Sequence, residues 1–256
     1  MQPLNRPYKF IGCEIVYREA CLLAARSPRR IDVEFLRKGL HDLETADMNA
    51  KIQATIDAVD ASVGYEAILL GYARCNDGLA GVTARDIPLV IPKAHDCITF
   101  FFGGRGPYQQ YFDNHPGTYF LTSGWSERNN YDDKNYAQPA YGQTGVMGKI
   151  GLAEPYEQMV AKYGKENADY IMSTLGDWRK HYTRLLYLDM GACDESAFIE
   201  AAQGEAREHN WHFERRSGDW TLLEKLFAGH WDDDFVIVQP GQKIVPLNND
   251  QVLAAE

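Results

Sequence analysis

The sequence has no apolar run that approaches the ~20 residues of a membrane span. Its first residues, MQPLNRPYKFIGCEIVY, also lack the long apolar core of a signal peptide. Basic residues are in the minority, 26 Lys and Arg against 36 Asp and Glu, and the formal net charge is -10. Such a charge repels phosphate backbones. We therefore expect a cytoplasmic protein with neither a membrane nor a nucleic acid as its partner, and the sequence is compatible with a homo-oligomer.

The chain also lacks the motifs of several common sites. It has no Gly-Lys-Ser/Thr of a P-loop, no GxGxxG dinucleotide fingerprint and no serine in a nucleophile elbow. Its five cysteines are an odd number, and without a sign of secretion they do not indicate a disulfide framework. In a reducing compartment such cysteines are free thiols, metal ligands or redox groups. Their positions relative to the predicted strands must distinguish these roles.

Short apolar runs alternate with helical patterns along both halves of the chain. Eight strands are predicted, within YKFIGC, IDVEF, YEAILLG, IPLVI, TYFLT, TRLLYLDMG, WHFERRSG and DFVIVQPG. Strands that alternate with helices are typical of parallel sheets with crossover helices. The sequence therefore predicts an α/β fold with two Rossmann-like lobes of mostly parallel sheet, residues 1–125 and 180–256. A polar loop and a helical connector, residues 126–179, join them, and the closing LNNDQVLAAE is predicted to be a tail or a crossing helix.

Four of the five cysteines follow predicted strands. Cys13, Cys75 and Cys97 come after the first, third and fourth strands, and Cys193 follows the first strand of the second lobe. The carboxyl ends of parallel strands share one edge of a sheet, where open α/β sheets bind ligands. His95, two residues before Cys97, adds an imidazole. Thiolates with imidazole suit Zn²⁺, whereas thiolates alone suit iron–sulfur clusters.

The sequence therefore predicts a metal site made by Cys13, Cys75, Cys97 and His95. The alternative is a buried structural thiol at Cys97 beside a turn histidine, because free cysteine is often simply buried. Asp96 is expected to orient a ring nitrogen or to cap the next helix. Whether Cys193 or His41 adds a further ligand stays open.

Two glycine-containing turns follow the third and fourth strands. GYARCNDGLAG places Gly71, Asn76 and Gly78 where backbone N–H groups can approach an anion or cofactor. FGGRGPY contains Arg105, whose guanidinium could pair with a carboxylate or phosphate. We name these four as candidate cofactor-binding residues, with tight structural turns as the alternative. Trp125, at the end of the fifth strand region, is expected in the core rather than at a cleft mouth.

Four stretches of the sequence resemble a prokaryotic family catalogued as a domain of unknown function. They are GCE at 12–14, LGYARCNDGL around Cys75, IPKAHDCI around Cys97 and PGTYFLTSGW from Pro116. The resemblance spans most of the chain, and members are often associated with corrinoid-dependent methyltransferase systems. It implies a role in corrinoid-linked methyl transfer, with a corrinoid as a further cofactor or a corrinoid protein as a partner.

The His95-x-Cys97 pair is also similar to part of the zinc site of methylcobalamin:thiol methyltransferases. In those enzymes zinc keeps the acceptor thiol as a nucleophilic thiolate, and a distant downstream cysteine completes the site. Here Cys13 and Cys75 lie upstream, and the aldolase-like barrel of those enzymes does not match the two predicted lobes. The likeness therefore supports the type of ligand rather than a homologous active site.

Three functions are compatible with these observations. The first is a Zn²⁺-thiolate methyltransferase, or a methyl-transfer partner, acting between a small-molecule methyl donor and an acceptor. The second is a redox or electron-transfer protein with a three-cysteine [4Fe–4S] cluster, and the third is a non-catalytic module that binds a corrinoid or a metal. Ligand softness and the family resemblance favour the first. The sequence does not identify a catalytic residue.

Overall fold

The computed structural model describes residues 6–128, 156–174 and 178–256. The strands in these ranges are β1 (Tyr8–Cys13), β2 (Ile31–Leu36), β3 (Ala67–Gly71), β4 (Leu89–Pro92), β5 (Thr118–Thr122), β6 (Arg184–Asp189), β7 (His212–Ser217), β8 (Phe235–Val238), β9 (Ile244–Pro246) and β10 (Leu253–Ala255). The α-helices are α1 (Tyr17–Arg26), α2 (Thr45–Asp57), α3 (Ile98–Phe101), α4 (Arg105–Asn114), α5 (Ser123–Glu127), α6 (Tyr156–Tyr163), α7 (Lys165–Thr174), α8 (Ser196–Glu208) and α9 (Thr221–Ala228).

The first sheet has the strand order β2-β1-β3-β4-β8. Its first four strands are parallel, and β8 runs antiparallel to β4. Because side chains alternate along a strand, each central strand supplies apolar residues to both faces of the sheet. One face presents Phe10, Leu69 and Val90, and the other presents Ile11, Ile68, Leu70, Leu89 and Ile91. Helices cover both faces, so continuous apolar runs mark these strands in the sequence.

The second sheet has three parallel strands in the order β5-β6-β7. Strand β6 is buried on both faces: Leu186 and Leu188 enter the hydrophobic cluster of the first sheet, whereas Leu185 and Tyr187 pack in a separate cluster with α8. The backbone N–H of Asp219 also donates to the carbonyl of Phe101 at 2.9 Å. The two sheets therefore share one core.

These features confirm the predicted α/β class and its two mostly parallel, Rossmann-like sheets. Two strands, however, join a different sheet from the one expected. Strand β5 pairs with β6 in the second sheet, and β8, near the end of the chain, pairs with β4 in the first. The two sheets therefore do not coincide with the two predicted lobes, residues 1–125 and 180–256. An apolar strand pattern identifies a strand but not its neighbours, because both sheets offer the same kind of buried surface.

The connector and the closing segment follow the sequence expectations in part. Helices α6 and α7 lie in the predicted helical connector, whereas 129–143 of the expected polar loop lie outside the described residues. The closing segment is neither a tail nor a helix, because β10 pairs antiparallel with β9. In the parts of the chain that the structure describes, every helix is too short or too polar to cross a bilayer.

Candidate metal centre

Three cysteines line one small cavity at the carboxyl edge of the first sheet. We call it the thiol cavity; its lining includes Cys13, Cys75 and Cys97 together with Ile15, Lys38, Leu40, Met48, Gly71, Tyr72, Ala73 and Trp125. Its volume is about 20 Å³. By this measure a single water molecule needs roughly 10–15 Å³, so the cavity holds about one small atom or ion.

The parallel strands place these three cysteines side by side. Cys13 is the last residue of β1, and Cys75 opens a tight turn four residues after β3. Cys97 directly precedes α3. The backbone N–H of Arg74 donates to the carbonyl of Ala94 at 2.9 Å, which continues the pairing of β3 and β4 beyond their ends. The turns that carry Cys75 and Cys97 are therefore fixed to each other.

Asp96 anchors the turn before Cys97. One carboxylate oxygen accepts from the backbone N–H groups of Ile98 at 2.9 Å and Thr99 at 3.3 Å, at the start of α3. The other accepts from the Tyr108 hydroxyl at 2.6 Å. This fulfils the capping role expected of Asp96 and fixes the backbone next to the Cys97 thiol.

The thiols are close enough to alter one another's ionisation. A hydrogen bond with the Cys75 sulfur, followed by burial, raises the pKa of Cys97 well above its usual range. Burial raises the pKa of Cys13 to about 12, and the nearby Cys75 adds to that rise, while a hydrogen bond with the Ile15 backbone opposes it. Both cysteines are therefore neutral thiols at pH 7 when nothing is bound.

Among the described residues, no set of three or more His, Cys, Asp or Glu side chains stands ready to hold a metal ion as placed. Cys75 and Cys97 contact each other, whereas Cys13 bonds with its own local backbone. A metal at all three sulfurs therefore needs a rearrangement of these side chains. Cysteine has a single side-chain torsion that moves its sulfur, so such a change is small in scale.

Lys38 and Trp125 complete the wall of the thiol cavity. The Lys38 side chain is fully buried, at 1% exposure; its ammonium lies 4.5 Å from the Trp125 ring centroid and donates to the Trp125 carbonyl at 3.2 Å. The Glu14 carboxylate fixes this lysine by accepting from its backbone N–H at 2.9 Å. Sequence reasoning missed Lys38, although it follows β2 by two residues and so belongs to the same edge. Trp125 lines the cavity as well as packing on the core.

His95 does not lie in the thiol cavity. It is exposed and lines a separate open depression of about 400 Å³ together with Arg105, Tyr108 and Asp234. Arg105 is held there by the carbonyl of Asp250, and its guanidinium lies 3.7 Å from the Asp234 carboxylate. The structure therefore separates His95 and Arg105 from the three thiols, because neighbouring side chains on one turn point in different directions.

The glycines near Cys75 have packing reasons to be glycine. A Cβ on Gly71 would lie 2.3 Å from the Phe10 ring, and one on Gly78 would lie 2.3 Å from the Met48 sulfur. Asn76 has a left-handed backbone (φ 54°), and its amide donates to the Leu43 carbonyl at 2.9 Å. Of these three, Gly71 alone lines the thiol cavity. These contacts agree with the structural-turn alternative.

The profile of the family described as "Protein of unknown function (DUF1638)" matches residues 35–227, about three quarters of the chain. The chain belongs to the DUF1638 family. The matched range includes Lys38, Cys75, Cys97 and Trp125, whereas Cys13 precedes it. No curated protein and no solved structure matches the sequence.

The remaining cysteines of this DUF1638 chain lie away from the thiol cavity. Cys21 is on α1, and Cys193 lies beside Arg18 and Glu195 near the carboxyl end of β6. The side chain of His41 lies outside the described residues. All five cysteines are free thiols.

A buried carboxyl lies on α1 near Cys193. Glu19 is completely buried, and neither of its carboxyl oxygens has a hydrogen-bond partner in the described part of the chain. Burial raises its pKa to about 7, and the carboxyl of Glu195 adds to the rise.

Proposed function

We propose that this protein is a Zn²⁺-thiolate methyltransferase, or a methyl-transfer partner, in a corrinoid-linked one-carbon pathway. The observation that carries the proposal is the convergence of Cys13, Cys75 and Cys97 on one small cavity with room for about one atom. Three thiols from three neighbouring strand ends are the donor set of an open catalytic zinc site, in which three protein ligands leave a fourth position for substrate.

The contact between Cys75 and Cys97 is compatible with two ligands of one zinc ion. Two thiolates on one tetrahedral Zn²⁺ lie about 3.8 Å apart, since each Zn–S bond is about 2.3 Å long. That separation is typical of two sulfur atoms in hydrogen-bonding contact, as Cys75 and Cys97 are. Rotation of Cys13 towards this pair would supply the third ligand.

The charge of the cavity wall also suits a zinc trithiolate. Three thiolates and one Zn²⁺ carry a net charge of about -1, which is costly to bury without a counter-charge. The buried ammonium of Lys38 lines the same cavity and supplies a positive charge. Lys38 would thereby stabilise the loaded site.

When bound, Zn²⁺ would lower the pKa of an acceptor thiol and hold it as a nucleophile. The residues of the chain would position the acceptor and shield it. The three cysteines would fix the acceptor's position, while the Trp125 ring and the apolar lining would exclude water. Methyl transfer in particular is inferred from the resemblance to a family associated with corrinoid systems.

The size of the thiol cavity argues against the two larger cofactors as residents. A [4Fe–4S] cluster has eight core atoms, and a corrinoid is a macrocycle, whereas the cavity accepts about one small atom. The wall formed by Lys38 and Trp125 would have to open for either group, and further than for the sulfur of a small acceptor thiol. A corrinoid therefore fits better as the cofactor of a separate partner protein.

Zinc titration of the apoprotein tests the metal site. We expect one Zn²⁺ per chain, and we expect Cys13→Ser, Cys75→Ser and Cys97→Ser each to weaken the affinity more than about 100-fold, since even indirect partners of a metal typically account for 10–100-fold. Cys21→Ser and Cys193→Ser are matched controls that should bind zinc like the native chain. Equal affinity in all five variants would refute the site.

A separate assay tests methyl transfer. The zinc-loaded protein is mixed with methylcobalamin and a small thiol, and thioether formation is followed by mass spectrometry. We expect turnover that is lost when zinc is removed. Zinc binding without thioether formation, alone or with a methylated corrinoid protein, would refute methyl transfer and leave the metal site intact.

A further inference from the structure

Cys75 and Cys97 form a pre-positioned pair of thiols. Their sulfurs are in hydrogen-bonding contact, and both line the thiol cavity. Their turns follow neighbouring strands and are joined by the hydrogen bond from Arg74 N–H to the Ala94 carbonyl. The closeness of the sulfurs is thus built into the sheet.

The third thiol is arranged differently. Cys13 lines the same cavity, but its sulfur is engaged by the backbone N–H of Ile15. A disulfide requires the two sulfurs to approach to about 2.05 Å. Cys75 and Cys97 already contact each other and are therefore the pair placed to close.

The cavity also restricts which oxidant can reach the pair. Its volume of about 20 Å³ has room for a small oxidant but not for a whole molecule of glutathione disulfide. A hydroperoxide as small as hydrogen peroxide is only slightly larger than water.

We propose that Cys75 and Cys97 are a peroxide-oxidisable pair that closes to a disulfide, a modification that does not require a bound metal. One thiol loses its proton and attacks hydrogen peroxide; the O–O bond breaks, which gives a sulfenic acid and a hydroxide ion that becomes water. The second sulfur, having lost its proton, attacks the first; the S–O bond breaks and hydroxide leaves to become water. Overall, two thiols and one hydrogen peroxide give one disulfide and two waters.

The closed disulfide removes two thiolates from the proposed zinc site. Oxidation and metal binding at these sulfurs therefore exclude each other. Bound Zn²⁺ would protect the pair, and the disulfide would prevent zinc from binding until a reductant restores the thiols.

Intact-mass analysis of the metal-free full chain, treated with one equivalent of hydrogen peroxide, tests the proposal. We expect the loss of two hydrogen atoms, a Cys75–Cys97 linkage in the peptide map and full reversal by dithiothreitol. Cys13→Ser, Cys21→Ser and Cys193→Ser should retain the linkage. Cys75→Ser and Cys97→Ser should lose it.

Three results would overturn the proposal: oxidation of Cys75 or Cys97 to sulfinic acid without a linkage, a linkage that uses a different cysteine, or no oxidation. These results are distinct from those that bear on zinc. A protein that forms the disulfide but never binds zinc would refute the metal site alone. A protein that binds zinc but forms no disulfide would refute the peroxide reaction alone.

Discussion

Glu19 is a carboxyl that folding moves out of water without giving it a hydrogen-bond partner among the described residues. Its pKa rises from an ordinary 4.5 to about 7 in the folded chain. The pKa of Glu19 is higher in the folded chain than in the unfolded chain. Its protonated form therefore makes its full contribution to the free energy of unfolding below about pH 4.5, and this contribution is lost as the pH rises through about 7.

Glu19→Gln should therefore change the pH dependence of stability. The amide stays neutral at every pH, whereas the buried carboxyl must ionise as the pH rises. The free energy of unfolding of the variant, relative to that of the native chain, should therefore increase from pH 5 to pH 8, by up to about 3 kcal/mol. Urea titrations at several pH values measure it. Glu208→Gln, at an exposed position of α8, is the control and should follow the native curve; identical curves for Glu19→Gln and the native chain would contradict the argument.

His95 gives a second prediction at the scale of one residue. Because it is exposed and lines a different depression from the thiols, His95→Ala should leave zinc affinity within about twofold of the native value. Isothermal titration of His95→Ala and of Cys97→Ser with zinc compares a residue outside the cavity with one inside it. A loss as large as that of Cys97→Ser would show that His95 is a ligand after all.

The residues of the site that could be predicted from the sequence are those placed by the ends of strands. Cys13, Cys75 and Cys97 follow strands of one parallel sheet, so their convergence could be inferred from the sequence. The direction in which His95 points depends on the turn geometry set by Asp96. The closeness of Lys38 to Trp125 depends on how the second sheet packs against the first. Neither leaves a local signal in the sequence.

Helix α5 is the element that brings the second sheet to the thiol cavity. It begins directly after β5, where the Thr122 hydroxyl accepts from the Trp125 backbone N–H at 3.2 Å, and it packs on the turn that follows Cys13. Gly124 makes this approach possible, since a Cβ there would lie 1.8 Å from the Ile15 carbonyl oxygen. The obstacle is backbone rather than a movable side chain.

Gly124→Ala should therefore be destabilising and should also weaken zinc binding. We expect a loss of about 3 kcal/mol in the free energy of unfolding, in the range of severe overpacking. The zinc loss follows because α5 would carry Trp125 away from the cavity. Gly106→Ala, on α4 with open space around its Cβ position, is the matched control and should be neutral or stabilising by up to about 1 kcal/mol. Equal melting temperatures for the two variants would refute this role of Gly124.

At the scale of the whole molecule, the described part of the chain crosses between its two sheets twice. It leaves the first sheet after β4, builds the second with β5, β6 and β7, and returns to add β8 beside β4. The alternation of strands and helices predicted the class of fold correctly. The return of β8 could not be predicted, because Phe235–Val238 has the same apolar pattern as any buried strand.

A fragment of residues 1–125 tests this topology. It contains β1 to β5 with all three cavity cysteines, but it lacks β8, which pairs with β4, and β6, which pairs with β5. With the edge of β4 uncovered, we expect aggregation and no cooperative thermal transition. Size-exclusion chromatography and circular dichroism, with the full chain as control, measure both properties. A monomeric fragment with a sharp melting transition would show that the first lobe is independent of the end of the chain.

The late arrival of β8 also sets an order of events during synthesis on the ribosome. Cys13, Cys75 and Cys97 have all emerged well before residues 235–238, which complete the sheet that carries them. Folding of nascent chains proceeds from the amino terminus as segments become available. For much of translation these thiols are therefore attached to a sheet that still lacks its strand β8.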